Sequence, residues 1–272
     1  MDILEQSFAS IGLKTEYGGP HSNGITHMSL LGFDDGSYIE LISSLEPGKR
    51  SPLWHEHIAN SGGPCAWAVE VDDVAQAATR IAALGIPVNG PNPLNRQRPD
   101  GRLVEWDLAF LGDGAPGSML PFVIKDRTPR DWRVRPSPSV SGTALKGVAR
   151  VCLGVSDLSR AVALFRLVYS WPAPQFQNED GIAMAHFSGT PVILMAVHEM
   201  KGAGTWLSNR LALFGDSPCA YLLGSKGTDR TSFLSPHFRE WFGHRVQWFD
   251  TGKLNGVKLG VIGADRCSNG HV

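Results

Sequence analysis

Apolar positions along the chain fall into two patterns. Runs of about five to seven apolar or alternating residues, bounded by Gly and Pro, predict strands. They cover Cys65–Val71, Leu103–Phe110, Met119–Ile124, Val148–Val155, Ile182–Phe187 and Pro191–Val197. The second pattern has the three-to-four-residue spacing that gives a helix one apolar face. Ala77, Ala78, Ile81 and Leu84 make one such stripe; Ala161, Val162, Phe165 and Val168 make another.

The two stripes belong to a repeated unit. Val71-Asp72-Asp73-Val74 recurs as Val155-Ser156-Asp157-Leu158, an offset of 84 residues (155 − 71). Asp73 and Asp157 stand at the helix N-caps, where a short carboxylate can accept from free amides. Each copy gives a strand, a helix and then two or three strands. At the N-terminus, Leu4, Phe8 and Ile11 repeat the helix without its opening strand, which by register would precede Met1. Three outcomes are open for that position: an uncovered sheet edge, a strand from another chain, or a shortened start. Near the C-terminus the period is weak, with Ser217–Leu223 as a first strand, Phe238–Phe242 as helix, and Val246–Phe249 and Val257–Ile262 as closing strands.

The expected fold class is α+β, built from tandem βαβββ modules. Residues 1–130 form a domain of two modules, the first lacking its opening strand. Residues 131–146 are an Arg-rich, Ser/Pro-rich linker. Residues 147–265 form a divergent second pair of modules, and 266–272 a tail.

Composition narrows the partners. The 272 residues carry 25 Lys+Arg against 26 Asp+Glu, a formal charge of -1, which offers neither a basic footprint for nucleic acid nor a polybasic membrane anchor. No apolar run approaches the roughly 18 to 20 residues of a membrane span. Met1-Asp2-Ile3 opens no signal peptide, so a cytoplasmic protein is expected, and an uncovered edge would allow a homodimer. Cys65, Cys152, Cys219 and Cys267 lie far apart and suit small buried hydrophobes in a reducing compartment, with Cys267 in the tail. Gly-x-Ser-x-Gly elbows, phosphate loops and dinucleotide fingerprints are absent.

Three stretches carry a resemblance: Gly18-Gly19-Pro20-His21 with Gly24-Ile25-Thr26-His27 and Ser37-Tyr38-Ile39-Glu40-Leu41-Ile42; Arg98-Pro99-Asp100-Gly101-Arg102 leading into Trp106-Asp107-Leu108-Ala109-Phe110; and Leu120-Pro121-Phe122-Val123-Ile124-Lys125-Asp126. Together with the repeats they resemble the vicinal oxygen chelate superfamily, and more closely its glyoxalase-like domain family, over roughly residues 2 to 130. The resemblance implies paired modules curling into half-barrels that cup a small-molecule site. It implies no single reaction, since the superfamily includes isomerases, lyases, dioxygenases, epimerases and metal-free binding proteins. It also implies a possible divalent metal, held by a His on a module's first strand and a Glu on its last. Glu40 matches that Glu position, whereas Ala66, Phe122 and Arg150 stand at other ligand positions and the first module's His is missing. The ligand set is therefore incomplete, and only His27 and Glu40 are offered as ligands if an ion binds.

The residues point to the opening module. Tyr38, Glu40 and Ile42 share one strand face, and a carboxylate among so much apolar surface needs a partner. His21 and His27 could meet it in the cup; the alternative is a hydrogen-bonding His at a turn plus a core His. His21, His27 and Glu40 are the candidate catalytic residues. Tyr38, Arg102, Trp106 and Trp54 are the candidate substrate contacts, Arg102 either gripping a carboxylate or closing a polar turn. Trp54-His55-Glu56-His57 lacks the spacing of a zinc helix and is expected on a loop or short helix at the cup mouth. Gly202-Ala203-Gly204 is expected to be a turn. The functional expectation is proton transfer on a small, partly apolar oxygenated metabolite (isomerase, cyclase or lyase), with noncatalytic binding of a small molecule in the same cup as the alternative.

Overall fold

A computed structural model describes residues 1–226 and 234–263. The predicted tail, 266–272, and Cys267 lie outside the described residues.

The first module contains α1 (Asp2–Ser10), β1 (Glu16–Pro20), β2 (Thr26–Gly32) and β3 (Tyr38–Ser44). A short helix, α2 (His55–Ala59), leads to the second module: β4 (Ala68–Glu70), α3 (Val74–Ala82), β5 (Val88–Gln97), β6 (Leu103–Leu111) and β7 (Phe122–Asp126). One helical turn, α4 (Arg130–Arg133), sits in the linker. The third module is β8 (Leu145–Gly154), α5 (Leu158–Tyr169), β9 (Gln175–Glu179), β10 (Ile182–His186) and β11 (Val192–Val197). After α6 (Gly202–Phe214) come β12 (Ser217–Ser225), β13 (Leu234–Trp241), β14 (His244–Phe249) and β15 (Leu259–Gly263).

The caps are where the repeat puts them. Asp73 accepts from the Gln76 amide and Asp157 from the Arg160 amide, each at 2.9 Å, a contribution of about 1 kcal/mol per helix. Ala78 and Ile81 on α3 and Ala161, Phe165 and Val168 on α5 are the buried faces.

Sheet order repeats with the modules. Each complete module runs first strand, last, third, second: β4-β7-β6-β5, β8-β11-β10-β9 and β12-β15-β14-β13, with first and last parallel. β8 and β12 pair antiparallel and fuse modules three and four into one eight-stranded sheet. Module one gives only β1-β2-β3, and among the described residues no strand pairs with the outer edge of β3 or of β4.

The helix-bearing faces pack against each other. Modules two and three share a core of Trp67, Ile81, Leu111, Leu153, Phe165 and Phe187, while module one packs with module four through Phe8, Leu31, Leu41, Leu223, Phe249 and Val261. Two cups therefore stand back to back, with their inner faces turned away from these cores.

Two expectations are corrected. Phe238–Phe242 is not helical: residues up to Trp241 form β13, paired with β14 around a two-residue turn at Phe242-Gly243. Both turn residues have positive φ (51° and 80°), the geometry of the tight hairpin turn; Phe238, Trp241 and Phe242 merely imitate helical spacing. Gly202-Ala203-Gly204 is not a turn but the start of α6. Gly204 is needed there because a Cβ would collide with the carbonyls of Glu199 and Gly181.

Candidate functional site

Glu40 lies mid-strand on β3 opposite Leu30 of β2, and cross-strand partners share a face. That face carries Tyr38, Glu40 and Ile42. Its opposite carries Leu31, Ile39 and Leu41, which bury against α1. On module two the corresponding inner face carries Arg96 of β5, Trp106 of β6 and Asp126 of β7, since Arg96 pairs with Val104 and Trp106 with Asp126.

His21 follows β1 directly. Gly18 is an extra residue between Tyr17 and Gly19 in the β1–β2 ladder, a bulge of the kind that re-aims a strand end. The turn to β2 is held by Asn23 Oδ1, which accepts from the amides of Ile25 (2.8 Å) and Thr26 (3.0 Å). The turn brings His21 Nδ1 within 2.8 Å of Thr26 Oγ1 and His21 Nε2 within 3.0 Å of Glu40 Oε1. The two side chains are 22% and 26% exposed, so the pair is partly sheltered yet reachable.

His27 does not join it. Three positions from Leu30, it projects from the other face of β2, where its Nδ1 meets Tyr17 Oη at 3.3 Å. Burial, then the charge of the chain's N-terminal amine, hold its pKa below the usual value. The expectation that His21, His27 and Glu40 meet in the cup is thus corrected: strand alternation separates His27 from Glu40.

The candidate substrate contacts also divide. Tyr38 shares the face of Glu40, but its hydroxyl accepts from Arg133 at 2.7 Å and its ring lies under Arg130 and Arg133. Trp106 is half-buried on the inner face of β6. Arg102 is exposed and stacks on Trp132, 4.6 Å from the ring centre. Trp54 donates its indole N–H to Pro116 O at 2.8 Å, fixing the entry to α2. In that helix His57 stacks on Phe214 at 4.4 Å, and burial, assisted by Arg210, lowers its pKa to about 4. Of the His55-Glu56-His57 string, His57 is committed to packing and Glu56 is exposed.

Several residues at the site were not singled out as candidates by the sequence, although Asp126 ends one of the stretches that carry the resemblance. Asp126 receives Arg133 through two nitrogens and Arg130 through one, at 3.1 Å. Arg133 is pulled down by burial, but Tyr38 and Asp126 more than reverse this and hold it above its ordinary value. Arg96 is buried and donates to the carbonyls of Gly18 and Arg133. Burial pulls its pKa down and the charge of Glu40 opposes that. Burial, with Glu40 adding to it, pushes the Cys65 thiol up to about 12. The linker crosses the same inner face: Gly32 and Ser137 are hydrogen-bonded, and a Cβ on Gly32 would strike the Arg135 carbonyl. Arg210, donating to the carbonyls of Gly62, Pro64 and Pro218, ties the loop before β4 to the second half.

The donor set does not fit a divalent ion. Among the described residues no three His, Cys, Asp or Glu side chains gather closely enough to hold one, and the Glu40 oxygen nearest an imidazole is already hydrogen-bonded to it. Two cavities of about 220 and 180 Å³ both line α6, and neither touches His21 or Glu40. Among the described residues no helix is long and apolar enough to cross a membrane.

Comparison with known proteins gives the same architecture. A protein described as hypothetical from Staphylococcus aureus superposes with a TM-score of 0.59 at 12% identity, covering 92% of this chain and 90% of that one. A mutant of 4-hydroxymandelate synthase from Streptomyces coelicolor superposes with a TM-score of 0.56 at 10% identity, covering 97% and 89%. At such identities the likeness is one of fold. No curated protein matches the sequence. The glyoxalase-like domain, by contrast, matches residues 1–168, reaching through the linker to the third module, and the chain belongs to that family, within the vicinal oxygen chelate superfamily.

Proposed function

We propose that the chain acts on a small, partly apolar oxygenated metabolite by proton transfer at Glu40, with His21 orienting the carboxylate. The carrying observation is the 3.0 Å contact between His21 Nε2 and Glu40 Oε1. Glu40 Oε2 makes no hydrogen bond among the described residues, so its lone pairs are free for a proton. With Nδ1 accepting from the Thr26 hydroxyl, His21 directs an Nε2–H at Glu40.

In this reading a C–H bond beside a substrate carbonyl breaks, the proton passes to Glu40, and the electron pair moves onto the carbonyl oxygen. The positive field of Arg96 favours the enolate. Isomerisation, cyclisation and elimination share that step. Trp106 on the facing sheet would contact the apolar part of the substrate. Free thiols at Cys65, Cys152 and Cys219 accord with a cytoplasmic setting.

The test is proton exchange in D2O with a panel of 2-oxo acids, hydroxyketones and acyl thioesters, followed by NMR. At least one compound should exchange its α-proton. Glu40→Gln should abolish exchange, and His21→Gln should slow it about 100-fold or more. Exchange that survives Glu40→Gln would remove Glu40 from the reaction.

A noncatalytic small-molecule binder is the second reading. It is favoured by Ala66, Phe122 and Arg150 at the superfamily's ligand positions and by the linker lying across the inner face. Saturable binding of panel members with no exchange would support it.

A further inference from the structure

The inner face of the second cup differs from the first. It is covered by α6, whose Leu207 packs with Met184, Met195, Cys219, Ala220 and Leu222. Between the helix and the sheet remains a cavity of about 180 Å³. Its apolar walls include Trp206, Trp241, Trp248, Met184 and Met195. Trp241 and Trp248 meet edge to face at 5.5 Å.

Two groups in this cavity lack what their chemistry asks for. Lys258 Nζ lies 4.5 Å from the ring centre of Trp206 and 6.0 Å from that of Trp248, and no carboxylate pairs with it among the described residues. Trp241 is 6% exposed, and its indole N–H is enclosed without a hydrogen bond, although it lies near enough to Glu179 to favour that carboxylate. The acidic groups are already engaged: Arg239 lies 3.3 Å from Glu179 and 3.7 Å from Asp180. Arg239 and Lys258 together balance the charges of Glu179 and Asp180; what is left over is the Trp241 donor and an ammonium with no direct ion pair among the described residues, within aromatic walls. A cationic ligand would have to displace Lys258 from the ring faces it occupies. A neutral ligand would leave the ammonium unpaired.

We propose that this cavity is a second ligand site, for a small monocarboxylate with an apolar body, its carboxylate held by Lys258 and the Trp241 N–H and its body against Trp206, Trp248 and the two methionines. Burial lowers the pKa of Lys258, as expected of an ammonium that gains by acquiring an anion. Thioether side chains suit ligands of varied outline. The site is independent of Glu40 and His21.

Tryptophan fluorescence of the full chain, titrated at constant ionic strength, tests this. The probes are benzoate, phenylacetate and hexanoate, each beside its amide and its amine. At least one acid should bind saturably, tenfold or more tighter than its amide and amine. Lys258→Met should raise its Kd tenfold or more. Trp241→Phe, which keeps an aromatic side chain but removes the N–H together with part of the indole, should raise it threefold or more, and this second variant serves if Lys258→Met does not fold. Glu40→Gln should leave the titration unchanged, so the fates of the two sites are read separately. Absence of saturable binding by every acid, equal affinity for acid and amide, or an unchanged Kd in Lys258→Met or Trp241→Phe would overturn the proposal.

Discussion

Replacing Asp126 by Asn tests how the linker holds the first cup. Asp126 and Arg133 side chains are each 6% exposed, and Asp126 also receives Arg130 at 3.1 Å. The substitution keeps the shape and removes the charge, leaving the Arg133 guanidinium buried against the Tyr38 hydroxyl. Breaking a buried pair in this way costs about 3–5 kcal/mol, because the remaining charge is uncompensated. For a chain of this size each kcal/mol lowers the melting temperature by about 2–4 °C, so a loss of at least about 6 °C is expected. The effect should reach the candidate site, since the Arg133 carbonyl accepts from Arg96 and Arg96 also holds Gly18, close to His21. Circular dichroism melting of Asp126→Asn, Arg133→Met and the double variant Asp126→Leu/Arg133→Met is the assay. The double variant should regain much of the loss, because removing both charges avoids burying one alone. Asp126→Asn melting within about 1 °C of wild type would refute the reasoning and make the cluster an incidental feature of the linker.

Other outcomes follow from single groups. Phe165→Ala should cost about 3–5 kcal/mol in urea unfolding, as this fully buried ring sits among Trp67, Tyr169, Trp171 and Phe187. Asp157→Ala should cost about 0.5–2 kcal/mol through loss of its cap. His57 has a folded pKa near 4 against 6.5 for the free side chain, so the unfolded chain binds its proton first and stability falls as pH drops from 6.5 toward 4. His57→Phe should flatten that part of the pH–stability curve, and an unchanged slope would count against the assignment. Burial with the thiol pKa near 12 should keep Cys65 unmodified by iodoacetamide at pH 8 in native protein, by peptide mass mapping, and open to it in urea.

Much of the fold was legible because its units repeat and each repeat restates the same local physics. Asp73 and Asp157 announce helices whose apolar faces are spaced to bury, and both helices form. Elements without such redundancy were missed. β5 contains Pro91 and Pro93 among Asn and Gly, and it is held by its partners on β6 rather than by its own alternation, as the Asn95–Glu105 and Leu94–Trp106 pairings show. α6 distributes Trp206, Leu207, Leu211, Leu213 and Phe214 around its axis because one side meets the sheet and another meets His57 and the loop before β4. A helix covered on several sides has no single stripe to find.

The site was half legible for a related reason. Glu40 is conspicuous in sequence because a carboxylate between Ile39 and Leu41 must find a partner, and it finds His21. Choosing between His21 and His27 needs the β2–β3 register, which a sequence does not print: Leu30 opposite Glu40 sends His27 to the α1 side, while the Gly18 bulge and the Asn23 turn aim His21 inward. Arg96, Asp126 and Arg133 were invisible for a different reason. Arg96 and Arg133 lie in polar stretches and Asp126 at the end of an apolar strand, and nothing local marks them as partners; the cluster forms only when the linker folds back over the sheet. The Gly32–Ser137 contact joins positions 105 residues apart, so the polar lining of the first cup is a property of the linker's path. The two cups differ in what they leave unpaired: in the first, Asp126 and main-chain carbonyls hold the cations and Glu40 keeps a free oxygen, whereas in the second Glu179 and Asp180 share Arg239 and Lys258 has no direct ion pair among the described residues. The first arrangement favours accepting a proton and the second holding an anion, so substitutions at Glu40 and at Lys258 should act independently, each abolishing one behaviour and sparing the other.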